Sequence, residues 1–271
     1  MPAGLSIHVG LNSVDPKKYD GWDGRLVACE NDARDMAELA RGTGFDTTTV
    51  FTRDATAENV TAELRKAAKK LRGGDILLFT YSGHGGQVPD TEGAEIEPDG
   101  LDETLVLYDR QLLDDELHRE FGRMEDGVRI LALLDCCHSG TAIEAPGASG
   151  AQNGAASRFM PVVKQQQIYE RDKEMFRELR RGLKAGGPGD AATPAALLIS
   201  ACQDNQEAAD GAVNGAFTET LLRVWDKGAF RGGYRTFHRG IQRLMPATQS
   251  PNYHVTGTPT PEFLHQKPFT V

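Results

Sequence analysis

Two stretches of this chain, Asp75–Tyr81 and Arg129–Leu134, are apolar almost without interruption. A strand covered on one face alternates apolar and polar residues, whereas one apolar at nearly every position is covered on both, as in a parallel sheet between two helix layers. Further strand candidates are Leu5–Gly10, the β-branched Thr47–Phe51, Thr104–Tyr108 and Ala195–Ala201. Helical patterns lie between them. Asn31–Arg41 carries Ala33, Met36, Ala37 and Ala40 on one stripe and stops at Gly42 or Gly44, and a segment capped by Thr56 presents Val60, Leu64, Ala67 or Ala68 and Leu71. Asp114–Phe121, Ala216–Asp226 and Arg235–Met245 also read as helices. Such alternation predicts right-handed crossovers, hence an α/β fold with a mostly parallel central β-sheet and helices on both faces.

The 271 residues are read as a single domain over residues 1–271, with 39% hydrophobic and 25% charged residues, too apolar for a disordered chain. A net charge of −9 disfavours a general partner for nucleic acid or an anionic membrane. No apolar run approaches the roughly 18 residues of a membrane span, and the first residues lack the pattern of a secretory signal, so a cytoplasmic protein is expected. Cys29, Cys136, Cys137 and Cys202 are too few for a disulfide scaffold at this length, and no CxxC pair or HExxH supports a zinc site.

Chemistry concentrates where the two apolar runs end. ILLFTYSGHGG delivers His84 just beyond one strand, and ILALLDCCHSG delivers Cys136 and Cys137 just beyond the other. Ligands of open α/β sheets bind outside the carboxyl ends of the strands. Imidazole titrates in the range that lets it take a thiol proton and later protonate a leaving amine. The glycines flanking His84 and following the cysteines permit close backbone approach and leave amides free for an oxyanion. A lone histidine in a glycine-rich turn or a lone buried cysteine would be structural, but both at strand ends predict a Cys–His dyad. His138 adjoins the cysteine in sequence, so its side chain does not converge on it.

YSGHG, DCCHSG and SACQDNQEAADGAVNGAFTETLL resemble the caspase-like cysteine peptidases, specifically the metacaspases and their bacterial relatives. Caspases place the histidine about 50 residues before the cysteine; here the interval is 53. The resemblance implies a caspase-like fold, His84 and Cys137 as the catalytic pair, and an oxyanion hole from the amides of Gly85 and Cys137. Cys136 falls at a variable position.

A carboxylate at Asp135, two residues before Cys137, would repel an acidic P1 side chain and attract Arg or Lys. Asp32 reads as a helix N-cap, and the resemblance adds it to an S1 pocket with Cys29 and Ser82. Cleavage of proteins or peptides after Arg or Lys is therefore expected, without nucleic-acid or membrane partners and from a monomer. The alternatives are a caspase-fold adaptor without turnover and an Asp-specific caspase; a redox protein built on Cys136 and Cys137 has little support.

Gly83–Leu101 reads as a polar loop, and the acidic residues Asp90, Glu92, Glu95, Glu97, Asp99, Asp102 and Glu103 gather in and just after it, followed by Asp114, Asp115 and Glu116. Such runs are usually solvated, yet crowded carboxylates also attract hard cations. The resemblance implies activating calcium held by Asp99, Asp114, Asp115 and Glu144. Residues 141–193 read as a long, exposed, flexible insertion with an amphipathic helix over Gln166–Leu183. Its basic residues predict self-cleavage somewhere in Arg158–Lys184.

Overall fold

A computed structural model describes residues 2–90, 100–136, 156–185, 195–202 and 208–271. In chain order the elements are β1 (Gly4–Gly10), α1 (Cys29–Gly42), β2 (Asp46–Phe51), α2 (Ala57–Lys70), β3 (Ile76–Ser82), β4 (Gly85–Pro89), β5 (Leu101–Val106), β6 (Gln111–Leu113) and α3 (Asp114–Phe121). Then follow β7 (Arg129–Asp135), β8 (Ala156–Ser157), α4 (Val162–Ala185), β9 (Ala196–Ser200), β10 (Ala209–Asp210), α5 (Ala216–Trp225), α6 (Tyr234–Leu244), β11 (Asn252–Thr256) and α7 (Pro261–His265).

The main sheet has the order β11-β9-β7-β3-β1-β2 and is parallel except for β11, which runs antiparallel to β9. β3 and β7 lie at its centre, as their apolar runs require. Alternate residues serve opposite faces: Leu77, Phe79 and Tyr81 pack with Val60 and Leu64 of α2 and Leu117 and Phe121 of α3. Ile76 and Leu78 pack with Met36 of α1, Phe217 and Leu221 of α5, and Phe237 and Ile241 of α6. Thr56 caps α2 by accepting from the Asn59 amide, as its sequence position predicts.

Two expectations change. Gly83–Leu101, read as a polar loop, contains β4, which pairs antiparallel with β5 in a three-stranded sheet with β6. Its glycine-rich, short sequence hides a strand whose pairing is non-local. The described part of the insertion, residues 156–185, contains the expected amphipathic helix as α4, and one face of it is packed on the domain rather than free. α4 lays Tyr169 and Phe176 onto Val88 and Leu113, while Arg180 binds Asp102 and the Pro89 carbonyl. Long basic side chains on a helix cover apolar surface with their stems, so charge alone did not mark α4 as a free linker.

Candidate active site

Parallel pairing of β3 with β7 sets Ser82 beside Asp135 in register, so two predicted pocket residues stand together at the carboxyl edge of the sheet. Asp32 approaches from α1. It is not the helix N-cap, which is Ala28 without a side-chain cap bond. Its place inside the first turn instead aims the carboxylate at Ser82, whose hydroxyl donates to Asp32 Oδ2 at 2.7 Å. Cys29, on the same turn, is fully buried. Burial pushes its thiol up to about 12 despite the opposing charge of Arg158.

Two of these carboxylates are held by the start of α5, where amides have no partner within the helix. Asp32 Oδ1 accepts from the Gly215 amide at 2.9 Å and from Asn214 Nδ2 at 3.0 Å. Asp135 Oδ2 accepts from the Thr218 amide at 3.1 Å and its hydroxyl at 2.7 Å. The positive end of the helix dipole also favours their charge. A third carboxylate, Asp210 of β10, was not predicted. It accepts from the amides of Val27 and Ala28, at 2.8 and 3.3 Å, and so fixes the chain entering α1.

Between the three lies the guanidinium of Arg158, which has no exposed surface. Its Nη2 donates to Asp32 at 2.7 Å and to Asp210 at 2.9 Å. Its Nη1 lies 2.8 Å from Asp135 Oδ1 and donates to Ser82 Oγ at 2.9 Å and to the Asp135 carbonyl at 3.2 Å. Burial alone would lower the pKa of Arg158, but the surrounding acids raise it well above the usual arginine value. Asp135 is shifted upward by burial, with Arg158 opposing. Gly215 makes room: a Cβ there would stand 2.4 Å from Arg158 Nη1.

His84 follows β3 directly and is nearly buried. Its Nε2 lies 3.1 Å from the Gly24 carbonyl, and Trp22 packs on the ring with centroids 4.9 Å apart. A carbonyl only accepts, so the proton sits on Nε2 and leaves the Nδ1 lone pair available as a base. Nδ1 is buried with no hydrogen-bond partner among the described residues. Burial pushes the pKa of His84 down to about 4, Arg158 adds to this, and the Gly24 carbonyl opposes it, so the ring is neutral at pH 7. Tyr81 steadies the turn by donating to the carbonyls of His84 and Val106. A Cβ at Gly83 would meet that phenol oxygen at 2.5 Å, which explains the glycine before the histidine.

Cys137, Asp99 and Glu144 lie outside the described residues, as does His138. Cys136 is a buried core residue next to Cys137 in sequence, and Cys202, also buried in the core, lies against the Cys136 carbonyl. Asp114 and Asp115 open α3, where the Asp115 amide donates to Asp114 Oδ1 at 2.9 Å. Among the described residues no group of three or more His, Cys, Asp or Glu is arranged to hold a metal ion. No helix among them is long and apolar enough to cross a membrane.

Residues 14–267 match the caspase-domain family Peptidase C14. The chain belongs to this family. Metacaspase-1 of Mycosarcoma maydis is 39% identical over 152 residues, covering 51% of this chain and 36% of that protein. Metacaspase-1 of Sclerotinia sclerotiorum is 38% identical over 153 residues, covering 51% and 34%. The chain thus spans about a third of the length of these curated relatives. A crystal structure of a Geobacter sulfurreducens protein, 48% identical, superposes with a TM-score of 0.89 over 100% of this chain and 99% of that one. Caspase-1 from Spodoptera frugiperda, at 12% identity, shares the fold with a TM-score of 0.58 over 93% and 86% of the two chains. The caspase-like fold expected from YSGHG and DCCHSG is therefore established. Of the residues that the sequence did not single out, Asp210 and Gly215 lie inside the quoted stretch SACQDNQEAADGAVNGAFTETLL without a role read for them, whereas Gly24 and Trp22 reach His84 only through long-range packing.

Proposed function

We propose that this caspase-domain chain is a cysteine endopeptidase that cuts after Arg or Lys and acts as a monomer. What carries the reading is the space between Asp32, Asp135 and Asp210, which the guanidinium of Arg158 fills. Three buried carboxylates around one space repel each other unless a cation fills it. A planar guanidinium satisfies them through two nitrogens at once, which an ammonium on one nitrogen does less completely, so Arg is preferred to Lys. A P1 aspartate would bring a fourth negative charge into the same space, which disfavours an Asp-specific caspase.

In the reaction, neutral His84 accepts the Cys137 thiol proton at Nδ1 while Gly24 and Trp22 hold its ring. The sulfur attacks the carbonyl carbon that follows the docked side chain, and the developing oxyanion takes the amides of Gly85 and Cys137. His84 returns the proton to the leaving amine, and water then hydrolyses the thioester.

Calcium belongs to the proposal as an activator, held by Asp114 and Asp115 with Asp99 and Glu144. The donors are hard carboxylate oxygens, which suit this ion. Nearby Asp102, whose carboxyl is raised by burial with Asp90 and Asp115 contributing, is already held by Arg180 and is not needed as a ligand. Calorimetry with calcium on the full chain and on Asp114→Ala/Asp115→Ala should show binding that the double variant loses; equal heats from both would remove these ligands.

The test of the main reading uses fluorogenic peptides that differ only at P1. The account expects cleavage in the order Arg, Lys, Asp, and loss of activity by about a thousandfold or more in Cys137→Ala and His84→Ala. Faster cleavage after Asp, or activity surviving Cys137→Ala, would overturn it.

A further inference from the structure

We infer that Arg158 is this chain's own P1 residue: it fills the S1 pocket in the intact protein, and Arg158–Phe159 is the bond that self-processing cuts. The inference rests on the peptidase reading above and adds its regulation.

The side chain alone would allow a structural ion cluster, but the main chain goes further. The Arg158 carbonyl accepts from the Gly85 amide at 2.9 Å, the same donor assigned to the oxyanion hole. The Arg158 amide donates to the Ala208 carbonyl at 2.9 Å, and Met160 donates to the Gly85 carbonyl at 2.9 Å. Just before Arg158, β8 pairs antiparallel with β10, and just after it Phe159 bridges in parallel to Gly85. The segment is therefore bound on both edges as an added strand, the way extended peptides dock to enzymes, with its carbonyl on one of the two amides assigned to the oxyanion. A buried arginine recruited only for stability needs none of this backbone registry.

The consequences follow from tethering. A covalently attached occupant faces its pocket at an effective concentration in the millimolar range, so an external peptide competes poorly while the chain is intact. In the processing step the Cys137 sulfur bonds to the Arg158 carbonyl carbon, and the bond to the Phe159 nitrogen breaks. That nitrogen leaves as an amine with the proton held by His84. Water then cleaves the thioester, giving the Arg158 carboxylate and restoring the thiol. Once cut, Arg158 is tethered from one side only and can leave the pocket, while α4 keeps its packing on β4.

The experiment has two arms on the full chain. The first times activity against Arg-P1 peptide while mass spectrometry and N-terminal sequencing identify fragments. The expected result is a fragment beginning at Phe159 that rises together with activity and is absent from Cys137→Ala. The second titrates a fluorescent Arg-P1 peptide into Cys137→Ala and Cys137→Ala/Arg158→Ala, with at least tenfold tighter binding expected for the emptied pocket. Should the double variant fail to fold, the identity of the first fragment decides. Full activity from an intact chain, a first cut elsewhere, or equal binding by the two folded variants would overturn the proposal while leaving the peptidase reading in place. No cysteine-dependent cleavage of any Arg peptide would instead sink both.

Discussion

Asp135 has two jobs at once. One oxygen is bound by the amide and hydroxyl of Thr218, and the other faces the guanidinium of Arg158. Exchanging it for Asn keeps the shape but removes the charge. A hydrogen bond to a charged group contributes about 1.5–3 kcal/mol, so Asp135→Asn should raise KM for Arg-P1 peptides about tenfold to a hundredfold and leave the fold intact. An unchanged KM would take Asp135 out of the pocket. Asp210 and Asp32 also hold main chain or loop outside the helix: the first fixes the entry to α1, and the second binds the Gly215 amide and Asn214 in the turn that leads into α5. Their substitution would therefore disturb local structure as well as binding.

Among the elements, α5 bears most on the proposed specificity, because its start supplies amides to two carboxylates and yields space at Gly215. Gly215→Ala would place a methyl group 2.4 Å from the Arg158 nitrogen. Measured on peptide cleavage, it should reduce kcat/KM for Arg-P1 substrates at least tenfold and spare the overall melting profile; a wild-type kcat/KM would show the pocket lies elsewhere. The elements also show how far local pattern reaches. α3 runs over Asp114–Phe121, the span read from the sequence, and the central strands agree to within a residue or two, because their apolar runs report burial directly. The place of His84 just past the end of β3 was legible as well, since a glycine-rich strand end is itself a local signal. Arg158 was not. Its partner Asp32 lies 126 residues away, and an arginine amid Gly, Ala and Ser carries the composition of an exposed linker. β4 was missed for the same reason, its partner being β5 across a turn rather than its own periodicity.

On the scale of the whole molecule, two buried histidines couple stability to pH. Burial, with Arg41 adding to it, lowers His8 to about 3, and burial lowers His84 to about 4, from an unfolded value near 6.5. Below pH 6.5 the unfolded chain takes up protons that the folded chain refuses, so stability is fully present above that value and falls as the medium is acidified. By linkage each histidine costs about 2 kcal/mol at pH 5. His8 donates to or accepts from Thr80 Oγ1 at 2.8 Å within the sheet and is not among the pocket residues, which makes it the cleaner probe. The drop in Tm between pH 7.5 and 5.0 should be smaller in His8→Gln than in the wild-type protein; an equal drop would assign the acid sensitivity to other groups.

The central claim is that three buried carboxylates select a positive P1 side chain. Citrulline matches arginine in size and shape but carries no charge, so the most direct measurement compares kcat/KM for two peptides that differ only by Arg or citrulline at P1. The account predicts at least a hundredfold preference for Arg, and comparable values for the two peptides would contradict it.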